Sequence, residues 1–105
     1  MYPDKLQYVS KIKVDSQGTI YYIDLAGVFR VFNVTLNKAV AISGIIDKIQ
    51  DFDFGNQEIL LVTKSPLSYE NGKLAYYANK VYKVTGQDAL TVGVTSTFEV
   101  WIGSN

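Results

Sequence analysis

Glycine and Asn/Asp turn signals recur about every 8 to 14 residues along this chain. The runs between them are rich in β-branched and aromatic residues, which favour extended backbone over helix. No window of eleven or more residues places its apolar positions with helical periodicity. The sequence therefore predicts an all-β chain of about eight short, mostly antiparallel strands, built as a small single-domain barrel or sandwich.

Turn signals and apolar runs together predict where the strands lie. The predicted strands cover residues 6–14, 19–25, 28–35, 39–46, 58–64, 73–77, 80–84, 90–94 and 96–102. Residues 47–57 are predicted to be a polar loop, with Phe52 and Phe54 turned inward as anchors. Residues 78–79 are expected to form the two-residue turn of a tight hairpin, and Gly44 is expected to mark a β-bulge.

Length and composition indicate one globular domain spanning residues 1–105, because 48% of the residues are apolar and only 19% are charged. Ten acidic and ten basic side chains cancel. A neutral chain has no long-range attraction for nucleic acid or for an anionic membrane, so neither is expected as a partner. No stretch approaches 18 apolar residues, so no membrane span is predicted. The first ten residues lack a basic segment followed by an apolar one, so no signal peptide is expected.

The chain contains neither cysteine nor histidine. That composition excludes disulfides, thiolate nucleophiles, zinc sites of the cysteine type and the usual proton shuttle. A phosphate-binding glycine loop is also missing. We therefore expect no catalytic residues, no cofactor and no enzyme activity.

One acidic stretch carries oxygen ligands of the kind that calcium sites use: Asp51, Asp53, Asn56 and Glu58. Its order departs from the calcium-loop pattern, because Gly55 stands at the fifth position, where Asp or Asn is expected. A solvated loop therefore explains this stretch better than a metal site, and no metal is predicted.

The tyrosines raise the question of an interface. Tyr21 and Tyr22 are adjacent, as are Tyr76 and Tyr77. Because neighbouring residues of a strand point to opposite faces, one tyrosine of each pair should leave the core and face water or a partner. Tyrosine is common at interfaces, since it is broad, rigid and tipped with a hydroxyl. Cross-strand packing within the sheet is the other interpretation, and both remain open.

Opposite charges cluster in two segments. Residues 47–58 carry four acidic side chains and one lysine, whereas residues 64–83 carry four lysines and one glutamate. Two such patches could dock one copy of the chain on the next, although solvated faces are the commoner explanation of such patches. The residues predicted to contact a partner are Tyr22, Lys73, Tyr76, Tyr77, Lys80, Tyr82, Lys83, Asp51 and Asp53.

The C-terminal part, "YENGKLAYYANKVYKVTGQDALTVGVTSTFEVWI" (69–102), combines a glycine-introduced strand, a tyrosine-rich hairpin, a polar turn, "TVGV" and a closing "EVWI". It resembles the end of small phage capsid-decoration (cement) proteins. "GTIYYIDLAGVFRVF" (18–32) is similar, more weakly, to the strand-turn-strand near the front of that family. The acidic 47–58 segment has no counterpart in the family pattern.

The resemblance implies a compact β protein that lies outside a capsid lattice, often as a trimer, and reinforces joints between shell subunits. Its partners would be other virion structural proteins and copies of itself. It would be made in the host cytoplasm, reside in the virion and need no active site. Residues 1–8 would serve as an extended N-terminal arm laid across a neighbour, stiffened by Tyr2 and Pro3.

A second interpretation is a carbohydrate- or receptor-binding β module of a phage tail or fibre. Sugar-binding surfaces use exposed aromatic rings together with Asp or Asn side chains that bond to hydroxyls. Trp101, Tyr76, Asp51 and Asn56 are the residues that would supply such a surface.

Overall fold

The computed structural model describes residues 9–33, 35–67 and 70–105, and these ranges form ten strands. The strands are β1 (Val9–Val14), β2 (Ile20–Asp24), β3 (Phe29–Asn33), β4 (Lys38–Ala41), β5 (Ile49–Phe54), β6 (Ile59–Thr63), β7 (Gly72–Ala78), β8 (Val81–Ala89), β9 (Thr91–Val94) and β10 (Val100–Gly103). Within them there is no helix of the length and apolar character needed to cross a membrane. The predicted N-terminal arm, residues 1–8, lies outside the described residues.

The strands pair antiparallel in three sheets. The first sheet has the order β1-β2-β3-β4, the second β5-β6-β7-β8, and β9 and β10 form a two-stranded ribbon. Every pairing joins strands that follow one another in sequence, so each sheet is a meander of hairpins. The all-β prediction is confirmed, and the layers form a sandwich rather than a closed barrel.

The first two sheets pack face to face through one apolar core. Ile23 and Phe29 of the first sheet meet Phe52, Leu61 and Ala75 of the second, and all five are essentially buried. The rings of Phe29 and Phe52 meet edge to face, with their centroids 4.7 Å apart. Such an aromatic pair adds about 0.5–1.5 kcal/mol beyond the area that it buries.

The ribbon covers the opposite face of the second sheet. Leu60 and Val62 of β6 point away from the first core and pack with Ala89 and Val92. The second sheet is therefore the middle layer, covered on both faces. This explains why β6 is apolar at successive positions instead of alternating.

The structure corrects the prediction that residues 47–57 form a loop, because Ile49–Phe54 is a full strand paired with β6. Phe52 is fully buried and Phe54 packs against the same core, so the predicted inward direction of both rings is confirmed. The alternating aspartates that suggested a loop, Asp51 and Asp53, lie on the other face of this strand.

Backbone conformation explains two further differences. The turn between β7 and β8 is formed by Asn79 and Lys80, with φ of 51° and 64°, and not by residues 78–79. Positive φ at both central residues is the requirement of a type I′ hairpin turn, and asparagine tolerates it far better than Ala78 would. Gly44 was expected to form a β-bulge. Because β4 ends at Ala41, Gly44 instead lies in a turn between the first two sheets, with a φ of 93°.

Candidate binding surfaces

Asp51, predicted to contact a partner, is only 4% exposed. Its Oδ2 atom accepts a hydrogen bond from the backbone N–H of Val92 (2.8 Å) and another from the hydroxyl of Thr91. Its Oδ1 atom lies 2.5 Å from Nζ of Lys11. One carboxylate thus joins β1, β5 and β9, which belong to three different sheets.

Asp53 repeats this arrangement two residues along each strand. Its Oδ2 atom accepts a hydrogen bond from the backbone N–H of Val94 (2.8 Å), and its Oδ1 atom lies 3.4 Å from Nζ of Lys13. We call Lys11, Lys13, Asp51 and Asp53 the Lys–Asp ladder. Contacts within the chain therefore occupy both carboxylates, which were predicted to face a partner.

The pKa of Asp51 shows which effect dominates in the ladder. Burial by itself would raise this pKa, since it disfavours the charged carboxylate. Hydrogen bonds from Lys11, Thr91 and Val92 outweigh burial and hold the pKa of Asp51 below its usual value. The carboxylate is therefore charged at neutral pH and acts as a structural link. No group of three or more potential metal ligands occurs among His, Cys, Asp and Glu in the described ranges.

The tyrosines of each adjacent pair point to opposite faces, with Tyr21 and Tyr77 packed against the first core. Tyr22 is only 3% exposed within the chain. Tyr76 is half-buried and packs against the apolar cluster beneath the ribbon. Packing within the sandwich, the alternative left open by the sequence, accounts for Tyr76. Tyr22 is buried as well, but on the face of the first sheet that points away from the core between the first two sheets.

Two tyrosines of the β7–β8 hairpin hold the segment that connects the first two sheets. Tyr77 donates a hydrogen bond to the carbonyl oxygen of Ser43 (3.2 Å), and Tyr82 donates one to Oδ2 of Asp47 (2.8 Å). Both rings also pack against the first core. Burial, together with the bond to Asp47, raises the pKa of Tyr82 well above the usual tyrosine range. These hydroxyls therefore bind the chain to itself.

The three predicted lysines remain accessible. Lys73 is exposed and pairs with Asp88 on the neighbouring strand β8. Lys80 and Lys83 are exposed, and neither forms an ion pair with another described residue. Of the nine residues predicted to contact a partner, only these lysines project into solvent.

Among the described residues, the most exposed aromatic ring belongs to Trp101 on β10, with 67% of the residue exposed. It lies opposite Gly93 on β9, where a side chain would meet open space. Val100 is exposed as well, on the opposite face of β10. The outer side of the ribbon thus presents a broad ring on a flat backbone, a feature that the predicted interface did not include.

One end of the sandwich contains a cleft of about 610 Å³ among four hairpin turns. The turns that follow β1, β5, β7 and β9 surround it. Aromatic rings of Tyr21, Phe54 and Tyr77 line its inner part, and Phe98 stands at its edge. Burial, followed by the nearby charge of Asp15, raises the pKa of Tyr21. We call this the end cleft.

Polar side chains complete the end cleft: Asp15, Gln17, Gln57, Glu58 and Asn79. Three of its lining residues have positive φ without being glycine, namely Gln57 (64°), Asn79 (51°) and Phe98 (65°). Such backbone conformations are uncommon and concentrate at tight turns and ligand sites. Sequence reasoning missed this site because its residues come from four turns far apart in the chain.

The four residues proposed for sugar binding from the sequence do not form this site. Trp101, Tyr76, Asp51 and Asn56 are all missing from the lining of the end cleft. Asp51 lies beneath the ribbon, where its oxygens are already bonded, so it cannot join Trp101 in one exposed surface.

No protein-family model matches the chain, and searches of curated proteins and of solved structures return no match either. The resemblance to phage decoration proteins therefore stays a prediction.

Proposed function

We propose that this chain is a non-enzymatic viral structural protein, a capsid-decoration (cement) protein that stabilises a virion shell through protein–protein contacts. Its partners would be other virion structural proteins and copies of the chain itself. The location in a virion rests on the resemblance of residues 69–102 to that family. The observation that carries the contact role is the exposed ring of Trp101 on the outer side of the ribbon.

A tryptophan that is two-thirds exposed is a natural anchor for a protein partner. Tryptophan is among the residues most enriched at energetic hot spots, because a large rigid ring buries much area at little cost in side-chain entropy. Burying such a side chain completely stabilises a complex by about 1.5–3 kcal/mol.

The Lys–Asp ladder keeps this anchor in a fixed position. Asp51 and Asp53 bind two backbone N–H groups of β9, and β9 pairs with β10, which carries Trp101. A binding group held on a braced strand loses little conformational freedom when a partner docks. The ribbon is therefore suited to rigid contact with a shell surface.

Exposed lysines indicate the charge of the partner. Lys80 and Lys83 have no acidic partner among the described residues, so an acidic surface would complement them. Contacts of that kind weaken as salt screens them, whereas burial of Trp101 does not weaken. Binding to a shell should therefore fall moderately with salt and not vanish.

Association with particles tests the proposal. In a host that carries the corresponding virus, particles purified on a density gradient should contain the wild-type chain, detected by mass spectrometry. Trp101→Ala should lower its occupancy on the particles at least tenfold. Leu25→Ala removes another exposed apolar side chain, on the turn between β2 and β3, and should leave occupancy unchanged. Purified particles that lack the wild-type chain would exclude a decoration role.

Self-association is measured separately, by light scattering of the purified chain at two salt concentrations. A trimer that loosens as salt rises supports contacts between copies through complementary charge. A monomer under both conditions would restrict the proposal to assembly on a preformed shell.

A further inference from the structure

We propose that the end cleft binds a neutral sugar unit of a glycan. The site lies at the hairpin-turn end of the sandwich. Its lining includes neither Trp101 nor the exposed lysines of the β7–β8 hairpin, although Asn79 of the same hairpin is part of it. It is therefore independent of the contact surface assigned to the ribbon.

The inner part of the cleft offers a rigid apolar surface. Tyr21 and Phe54 meet edge to face with their ring centroids 5.4 Å apart, and Tyr21 also stacks near Phe29 at 6.0 Å. Tyr77 also lines the cleft and is held by its hydrogen bond to Ser43. A pyranose ring has one face made largely of C–H groups, and such a face packs well against fixed aromatic rings.

The polar groups of the cleft are free to bind. The side chains of Gln17, Gln57, Glu58 and Asn79 form no hydrogen bond or ion pair with another described residue. Each amide both donates and accepts hydrogen bonds, and the carboxylate accepts them. Sugar hydroxyls also donate and accept, so one sugar unit can satisfy this mixed set.

Charge excludes the main competitors. The cleft is lined by two carboxylates, Asp15 and Glu58, and none of its lining residues is Lys or Arg, so a phosphate or a sialic acid would meet repulsion. Asp15 already uses Oδ1 to accept the backbone N–H groups of Gln17 and Thr19. An ammonium or guanidinium ion would be attracted by these carboxylates, but it could not accept hydrogen bonds from the amide N–H groups.

The size of the cleft and the fixed backbone conformation of its turns also suit a small ligand. Its volume of about 610 Å³ falls within the range of about 300–1,000 Å³ found for small-molecule sites. Gln57 and Asn79 project from tight turns with positive φ, so their positions are set before any ligand arrives. A preformed site binds with little loss of conformational entropy.

Nuclear magnetic resonance of the ¹⁵N-labelled full chain tests the proposal. The probes are maltose, cellobiose, lactose, mannobiose and diacetylchitobiose, each titrated to millimolar concentration. At least one should give saturable amide shifts confined to residues 15–21, 54–59, 77–79 and 98. The absence of saturable shifts with all five sugars would overturn the proposal, as would shifts centred on Trp101.

Variants separate this site from the ribbon. Glu58→Ala and Gln57→Gly each remove one polar group, and glycine accepts the positive φ at position 57 without strain. Each should weaken sugar binding at least fivefold with an otherwise unchanged spectrum, whereas Trp101→Ala should leave it intact. Sugar binding by both cleft variants with the affinity of the wild-type chain would contradict the proposal. Tighter binding of lysine methyl ester than of any sugar would contradict it as well. Association with particles should depend on Trp101 and not on Glu58, so the two proposals fail separately.

Discussion

Two carboxylates seven positions apart in the sequence have opposite environments. Asp51 is buried on β5 and bonded to Lys11, Thr91 and Val92, whereas Glu58 lies in the next turn and its side chain forms no hydrogen bond or ion pair with another described residue. Both belong to one acidic segment that looks uniform in sequence. The comparison shows that an acidic residue becomes structural where distant strands supply donors, and stays available for a ligand where they do not.

The largest loss of stability is expected from removing Asp51, the buried one of these two carboxylates. Asp51→Ala leaves the buried N–H of Val92 without its acceptor, whereas the ammonium group of Lys11, 35% exposed, can still be hydrated. Leaving a buried donor unsatisfied costs about 1–3 kcal/mol. We expect a loss of that size in the free energy of unfolding, measured by urea denaturation followed by circular dichroism.

Asp88→Ala is the matched control for that measurement, since Asp88 is also paired with a lysine but lies on the surface. Exposed ion pairs contribute about 0–1 kcal/mol, so this variant should remain close to wild type. Similar losses for the two variants would show that the Lys–Asp ladder is no more structural than a surface pair.

Acid should weaken the ladder. The pKa of Asp51 in the folded chain lies below its usual value of 3.8, so the unfolded state takes up the proton first as pH falls. The stabilisation from Asp51 is therefore complete above about pH 5 and is lost as pH drops through the folded-state pKa. Stability measured between neutral pH and acid should fall steeply for wild type and less steeply for Asp51→Asn, with Asp24 contributing a residual slope in both. Parallel curves for the two proteins would contradict this.

A smaller effect is expected for the hairpin tyrosine. Tyr82→Phe removes the hydrogen bond to Asp47 while keeping the packed ring, and such bonds contribute about 0.5–1.5 kcal/mol. Because the pKa of Tyr82 is raised by folding, the unfolded state loses its proton first, and stability declines above about pH 10. The variant should be less stable at neutral pH and should lose less stability in alkali. Thermal unfolding at both pH values measures this, and an equal alkaline decline in the two proteins would speak against it.

The smallest effect on stability is expected for Glu58→Gln. A surface side chain without a partner usually changes stability by no more than about 0.5 kcal/mol when it is replaced. The same urea experiment should therefore give this variant and wild type nearly the same free energy of unfolding. A loss above about 1 kcal/mol would reveal a structural role for Glu58 and remove the contrast with Asp51.

Local signals predicted much of the fold correctly. The turn before Gly18 forms as expected, with Asp15 accepting the N–H of Gly18, because turn residues act on their own backbone. The apolar strand at residues 58–64 was found because it is hydrophobic on both faces. The segment 47–57 was not recognised as containing a strand, since the partners of Asp51 lie 40 residues away in β9 and at Lys11 in β1.

The candidate sites were less predictable than the strands. Alternation correctly places Trp101 and Val100 on opposite faces of the last strand, but it cannot tell which face a further layer covers. The same limit explains Tyr22, which was expected to face outward and is buried. The end cleft combines residues from four turns, and nothing in the spacing of those turns indicates that they meet.

The sequence by itself determined the all-β class, the meander of short hairpins and most turn positions. These features depend on interactions between near neighbours, such as the steric preference of β-branched residues and the backbone freedom of Asn and Gly. Only the tertiary structure decided which carboxylates are buried, which rings are covered and which turns surround the cleft. Those outcomes depend on groups brought together from distant strands, and burial of a charge is stable only where such groups supply its hydrogen bonds.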